Sequence, residues 1–171
     1  LDRRMRRQAL LDTLTELANR HALESELGRR IELCSGEGGC DGGCRTALLL
    51  VDLDDFKVVN DLAGHTAGDA LLRQVASLLR SLDPDAFVAR LGGDEFALVV
   101  DVADEAAAAG LGERVVHSIE AVGFSWNGEL FSIGASVGIA LLDREAFAAS
   151  TPAVQDVLNW ADRACLVAKE K

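Results

Sequence analysis

Two short acidic clusters hold the residues whose types and spacing best fit chemistry. Asp52, Asp54 and Asp55 stand in Val51-Asp52-Leu53-Asp54-Asp55-Phe56-Lys57, at the end of an apolar run, and Asp94 and Glu95 directly follow the pair Gly92-Gly93. Strand alternation points Asp52 and Asp54 to one side, at the edge where a sheet meets solvent. Acidic clusters at two neighbouring strand edges suit Mg²⁺, which takes carboxylate oxygens, keeps waters and accepts phosphate oxygens in its remaining positions. Either cluster alone is equally well an ordinary solvated strand end. Between them lie Asn60, Asp61, Gly64, His65, Gly68 and Asp69, all polar or glycine, within ten positions. Asn and Asp side chains together offer the donors and acceptors that read a base edge. Taken singly, Asn60 also suits a turn or helix cap, Asp69 the first turn of a helix, and His65 loop packing.

The elements that must position these residues follow from hydrophobic period. Leu10, Leu11, Leu14, Leu17 and Ala18 recur at helical spacing behind an opening that carries Arg3, Arg4, Arg6 and Arg7. This predicts the end of an incoming helix and a short turn, with residues 1–11 as a linker from an upstream domain. A second helix is expected from about His21 to Leu33. Residues 34–45 then break into a Gly/Cys-rich loop insertion. Thr46–Leu53, continuously apolar up to its carboxylates, reads as a buried strand. Thr66–Leu82 reads as an amphipathic helix stopped by Pro84. Phe87–Leu91 and Phe96–Asp101 form a hairpin about Gly92-Gly93-Asp94-Glu95, since glycine takes the positive φ of tight turns. Asp104–Val122 is a helix, Phe124–Trp126 and Leu130–Leu142 are strands about Asn127-Gly128, and Pro152–Lys169 is a closing amphipathic helix. The order implies an α/β (α+β) domain over residues 12–171, with a mixed, partly antiparallel central sheet covered by helices.

Composition narrows the function classes. The chain has 171 residues, 49% hydrophobic and 26% charged, which excludes disordered, collagenous and disulfide-scaffold classes. Its net charge of −11 would repel a nucleic-acid backbone, so no nucleic-acid partner is expected. The same charge opposes a phosphate-rich ligand unless metal ions bridge carboxylate to phosphate. No stretch approaches the roughly 18 apolar residues of a membrane span, and the opening lacks the pattern of a signal peptide. The expected location is cytoplasmic, either free or as the cytoplasmic part of a membrane-anchored protein. Cys34, Cys40, Cys44 and Cys165 read as reduced thiols, and without a Cys-x-x-Cys pair the cysteine loop reads as a benign insertion.

Longer strings carry a resemblance. Asp54-Asp55-Phe56-Lys57-Val58-Val59-Asn60-Asp61, Gly64-His65-Thr66-Ala67-Gly68-Asp69 and Arg90-Leu91-Gly92-Gly93-Asp94-Glu95-Phe96 resemble the successive signatures of the GGDEF family, the diguanylate cyclases. Asp12-Thr13-Leu14-Thr15-Glu16-Leu17-Ala18-Asn19-Arg20 resembles its opening motif, with Glu16 where glycine is usual. Ala135-Ser136-Val137-Gly138-Ile139-Ala140 resembles its late strand, and Ala161–Lys169 its closing helix, with Leu166 where tyrosine is common. Several ordered motifs at family spacing are far more specific than one short match.

The resemblance implies a fold related to the palm of nucleotide polymerases and nucleotidyl cyclases. It implies condensation of two GTP molecules, one in each of two facing subunits, into cyclic di-GMP with loss of pyrophosphate. Residue by residue, Asp52 and Asp94 match the metal carboxylates and the Leu53 carbonyl the backbone ligand, for Mg²⁺ with Mn²⁺ as an alternative. Asp94 matches the base for the 3′-hydroxyl, with Glu95 beside it as the other choice, and Lys57 the group that stabilises phosphate charge. Asn60 and Asp69 match the guanine readers. Phe56 and His65 accompany them in the substrate site, Gly92 and Gly93 admit phosphates close to the backbone, and Lys169 matches a phosphate-binding lysine. The family's inhibitory Arg-x-x-Asp is replaced by Asp83-Pro84-Asp85-Ala86, with Arg80 displaced towards the preceding helix, so no inhibitory product site is expected. The strand pair around Trp126-Asn127-Gly128 and the Ala164-Cys165 helix resemble versions fused to a following EAL phosphodiesterase domain. A catalytically silent, GTP-binding regulatory module that controls such a domain is therefore the competing reading.

Overall fold

The computed structural model describes residues 2–36 and 45–171. In chain order the elements are α1 (Arg3–Gln8), α2 (Arg20–Ser35), β1 (Arg45–Asp54), α3 (Phe56–Ala63), α4 (His65–Leu82), β2 (Phe87–Gly92), β3 (Glu95–Val102), α5 (Glu105–Glu120), β4 (Phe124–Trp126), β5 (Glu129–Phe131), β6 (Gly134–Leu142) and α6 (Val154–Lys169). Strands β2-β3-β1-β6 form a four-stranded sheet, and β4 with β5 a separate two-stranded one. Every ladder is antiparallel. Among the described residues, parallel pairing is limited to a single bridge between Ala18 and Ala89.

The continuous apolar run of β1 has a direct cause, because the strand lies between β3 and β6 with both faces covered. On one face Leu49, Val51 and Leu53 join Leu71, Val75 and Leu79 of α4 and Leu111 and Val115 of α5. On the other, Leu48 packs with Leu23, Leu27 and Ile31 of α2 and Val157, Leu158 and Ala161 of α6. A strand buried on both sides cannot alternate apolar with polar, so its sequence reads as one block. Side-chain caps start two of the covering helices: Asn19 accepts from the Ala22 amide at 3.0 Å and Asp104 from the Ala107 amide at 2.7 Å.

Three expectations change. Residues 10–18 are not helical beyond the end of α1. They form a turn in which Leu11 bridges to Ala18, the Asp12 amide donates to the Leu17 carbonyl at 2.7 Å, and Glu16 sits at φ 60°. Asp12 bends this segment by accepting from the Thr15 amide and hydroxyl at 2.9 and 2.7 Å, a local side-chain bond that competes with helix. Next, the polar stretch after β1 contains a helix, α3, because Phe56, Val59 and Ala63 keep a helical apolar stripe beneath the polar residues. Gly64, at φ 88°, ends α3 and lets α4 begin at His65. Finally, the run Leu130–Leu142 is two strands: β5 pairs with β4, and the chain changes sheets at residues 132–133 before β6 pairs with β1. Of the cysteine insertion, Cys34 belongs to the last turn of α2, whereas Cys40 and Cys44 lie outside the described residues. No described helix is long and apolar enough to cross a membrane.

Candidate active site

The site is built at one end of the sheet. Register places Asp52 of β1 opposite Glu95 of β3 and Ser136 of β6. Asp94 occupies the turn between β2 and β3, and its carbonyl accepts from the Leu53 amide at 3.2 Å, so the two acidic clusters are stitched together by backbone. The turn needs its glycine pair, since Gly92 and Gly93 adopt φ 138° and 51°, which side chains resist. Lys169, in the last turn of α6, forms an ion pair with Asp52. Asp52, Glu95, Cys165 and Lys169 line one cleft, while Asp54, Ser136 and Lys169 border a second, larger one.

Burial and the charge of Asp52 set the electrostatics at this end. Burial and then the neighbouring charge of Asp52 raise the pKa of Asp94 above the ordinary carboxylate value. The same two causes, in the same order, raise that of Glu95. Its bond to Asp52 raises the Lys169 ammonium pKa, which keeps it charged. Burial and the charge of Asp52 push the Cys165 thiol up to about 11, so it remains protonated and packs rather than reacts.

The oxygen donors fit a hard divalent cation. Asp52 lies near enough for its charge to raise the Asp94 pKa, an effect that Lys169 opposes, and the Leu53 carbonyl belongs to the same strand end. Among the described residues no three His, Cys, Asp or Glu side chains surround one metal position. Two carboxylates and a carbonyl still suffice where water and phosphate oxygens complete the sphere.

The remaining residues expected from sequence lie on α3 and α4. Phe56 and Asn60 pack against Gly68: a Cβ added at Gly68 would stand 3.2 Å from the Phe56 ring and 1.9 Å from the Asn60 oxygen. Lys57, His65 and Asp69 are exposed. The structure thus gathers Asp52, Leu53, Asp94, Glu95 and Lys169 into one constellation and sets the residues expected to read a base on two consecutive helices.

Arg90 and Asp12 stand in two of the family-like motifs, yet their types and spacing alone assign them no task. Arg90 donates twice to the Gly93 carbonyl, at 3.1 and 2.9 Å, and once to Asp12 at 2.9 Å. Its own amide donates to the Ala18 carbonyl at 2.9 Å. One guanidinium thereby clamps the glycine turn to the turn at residues 10–18. The signal was present as an arginine two residues before a Gly-Gly pair, where five fixed donors suit a carbonyl-rich turn. Ser136 was likewise unassigned; its hydroxyl donates to Asp54 at 3.0 Å and keeps that carboxylate turned to β6.

Comparison with known proteins agrees with this geometry. Residues 9–171 match the family model described as "Diguanylate cyclase, GGDEF domain". The chain is 40% identical over 159 residues to "Probable diguanylate cyclase DgcE" of Escherichia coli (strain K12), covering 92% of this chain and 14% of that protein. It is 40% identical over 134 residues to the "Bifunctional diguanylate cyclase/cyclic di-GMP phosphodiesterase MucR" of Pseudomonas aeruginosa, covering 78% of this chain and 19% of the relative. The chain therefore spans less than a fifth of the length of either relative. The crystal structure of the coiled coil and GGDEF domain of DgcB from Caulobacter crescentus, in complex with c-di-GMP, superposes with a TM-score of 0.82 at 30% identity, over 98% of this chain and 84% of that one. With the family's motifs in order, its fold reproduced and its carboxylates converging at one strand edge, this chain belongs to the GGDEF domain family.

Proposed function

We propose that the chain is an active diguanylate cyclase domain, condensing two GTP molecules into cyclic di-GMP and two pyrophosphates. The observation that carries this reading is the meeting of Asp52, Asp94, Glu95 and Lys169 at one sheet edge. In each half-reaction a 3′-hydroxyl oxygen bonds to the α-phosphorus of the other GTP, the bond to pyrophosphate breaks, and the hydroxyl proton passes to a carboxylate. Asp94 or Glu95 accepts it, both having proton affinities raised by burial and by Asp52. A divalent cation, Mg²⁺ or Mn²⁺, held by Asp52, Asp94 and the Leu53 carbonyl would offset triphosphate charge and acidify the hydroxyl. Lys169 and Lys57 neutralise phosphate oxygens, and Gly92 and Gly93 let the backbone approach them. Asp69 accepts from guanine N1–H and N2–H, and Asn60, with Phe56 and His65 beside it, completes base recognition. Adenine lacks that donor pair and would leave the carboxylate unpaired.

Each site holds one substrate, so catalysis requires a homodimer with facing sites. Residues 1–11 act as a linker to an upstream sensor domain, residues 12–171 form the cyclase domain in the cytoplasm, and nucleic acid is not a partner. With Arg80 bonded to the Glu16 carbonyl at 2.9 Å, product inhibition through an Arg-x-x-Asp site is weak or absent. Incubating the protein at high concentration with GTP and Mg²⁺ and resolving the products by chromatography tests the reading. Cyclic di-GMP supports it; its absence in both Mg²⁺ and Mn²⁺ overturns it.

A second reading, a silent GTP-binding module that regulates an attached EAL domain, is favoured by one feature: the Lys169 ammonium rests on Asp52, where a cation would bind. GTP binding without turnover in the same experiment would select it.

A further inference from the structure

Gly68 lies in the first half of α4 and is buried. Its backbone is helical, so no positive φ calls for glycine, and alanine would favour a helix interior more. Space is what calls for glycine. A Cβ here would fall 1.9 Å from Oδ1 and 3.0 Å from Cγ of Asn60, and 3.2 Å from Cζ of Phe56. Oδ1 of Asn60 is itself buried and has no hydrogen-bond partner among the described residues. An amide held by hydrogen bonds would keep its place whatever the neighbouring volume. This one is held by shape, filling the room that any side chain at position 68 would occupy.

We propose that Gly68 is a specificity-determining positioning residue, whose missing side chain seats Asn60 for base recognition. The proposal rests on the reading that Asn60 contacts the base. The atoms that would have to yield to a Cβ are the far ends of two side chains, not backbone. The fold therefore accepts alanine by turning the Asn60 amide aside, and base reading is lost while the domain stays folded.

The test is a calorimetric comparison of the wild-type chain, Gly68→Ala, Asn60→Ala and the double variant. The probes are the Mg²⁺ complexes of α,β-methylene GTP, which cannot be condensed, and of its adenosine counterpart. Gly68→Ala should weaken the guanosine probe about tenfold, the worth of one good hydrogen bond, and leave the adenosine probe within about twofold. In the Asn60→Ala background, Gly68→Ala should change neither by more than about twofold, because the two act as a unit. An equal loss for both probes, a further loss in the Asn60→Ala background, or unchanged guanosine affinity overturns the proposal. Should Gly68→Ala unfold alone, rescue by Asn60→Ala supports the contact, and unfolding of both variants overturns it. The two readings fail differently. Asn60→Ala with wild-type guanosine affinity removes the base reading and this proposal with it, whereas weak Asn60→Ala beside wild-type Gly68→Ala removes the proposal alone.

Discussion

The two ends of the site are held by different means. At the acidic end, β1, the β2–β3 turn, β6, α6 and the turn at residues 10–18 all contribute ties: Leu53 to Asp94, Arg90 to Gly93 and Asp12, Ser136 to Asp54, and Lys169 to Asp52. At the end proposed to read the base, two consecutive helices present Asn60, His65 and Asp69; the latter two are exposed, and Asn60 has a buried oxygen with no partner among the described residues. Groups that move protons and bear charge must be aimed before the reaction, because reorganising them would add to its barrier. Groups that only choose a base complete their hydrogen bonds when the base arrives. The difference predicts where a substitution will stop chemistry and where it will only blur selection.

The largest effect is expected at Asp94. Asp94→Asn keeps the shape but removes the charge and the proton acceptor, and turnover should fall by about a thousandfold or more in a single-turnover assay of cyclic di-GMP. Residual activity within tenfold of the wild type would shift the proton-accepting role to Glu95. Asp69→Asn should act differently, cutting the preference for GTP over ATP by about a hundredfold in competition binding, while the melting temperature holds. A preference left intact would move base selection away from α4. Arg90→Met is expected to lie between the two ends in kind and below both in catalytic effect. Freed from its clamp, the glycine turn should lose about tenfold in turnover, and the broken partly buried pair should lower stability by about 2–3 kcal/mol. If calorimetric melting shows that loss while turnover is untouched, the clamp is structural only.

The acidic end was largely legible in the sequence because strand alternation, a glycine turn and carboxylate chemistry are local. Asp52, Asp94 and Gly92-Gly93 declare themselves within a few positions of their neighbours. Helix α3 was not legible, since it is only eight residues long and its apolar residues do not all face the core: Phe56, Val59 and Ala63 mark the buried stripe, while Val58 and Leu62 are exposed. The turn at residues 10–18 misled for the opposite reason. Leu10, Leu14 and Leu17 keep helical spacing, yet the bonds from Thr15 to Asp12 and the bridge from Leu11 to Ala18 outweigh that period. The ties of Arg90 and Lys169 join residues 78 and 117 positions away, distances over which no spacing rule operates. The closeness of Asn60 to Gly68 likewise depends on how α3 and α4 pack.

The smallest effect concerns how firmly the turn at residues 10–18 holds the acidic end, and pH separates its parts. Burial pushes the pKa of Asp12 upward, but bonds from the Thr15 hydroxyl and amide, with the charge of Arg90, outweigh it, and the net direction is below the ordinary value near 3.8. The folded state therefore favours the carboxylate. Its contribution is fully present above the unfolded value and is lost as pH falls through the lower, folded one. Asp12→Asn should melt below the wild type at neutral pH, by about 3–6 °C for a loss of roughly 1–2 kcal/mol. That gap should close as pH falls below about 3.8, where wild-type Asp12 also gives up its charge. Other carboxylates titrate there too, but they do so in both proteins, so the difference isolates Asp12. Melting curves that stay equally separated down to pH 3 would mean that charge at Asp12 does not matter. Arg90 would then draw its hold on the glycine turn from the Gly93 carbonyl alone.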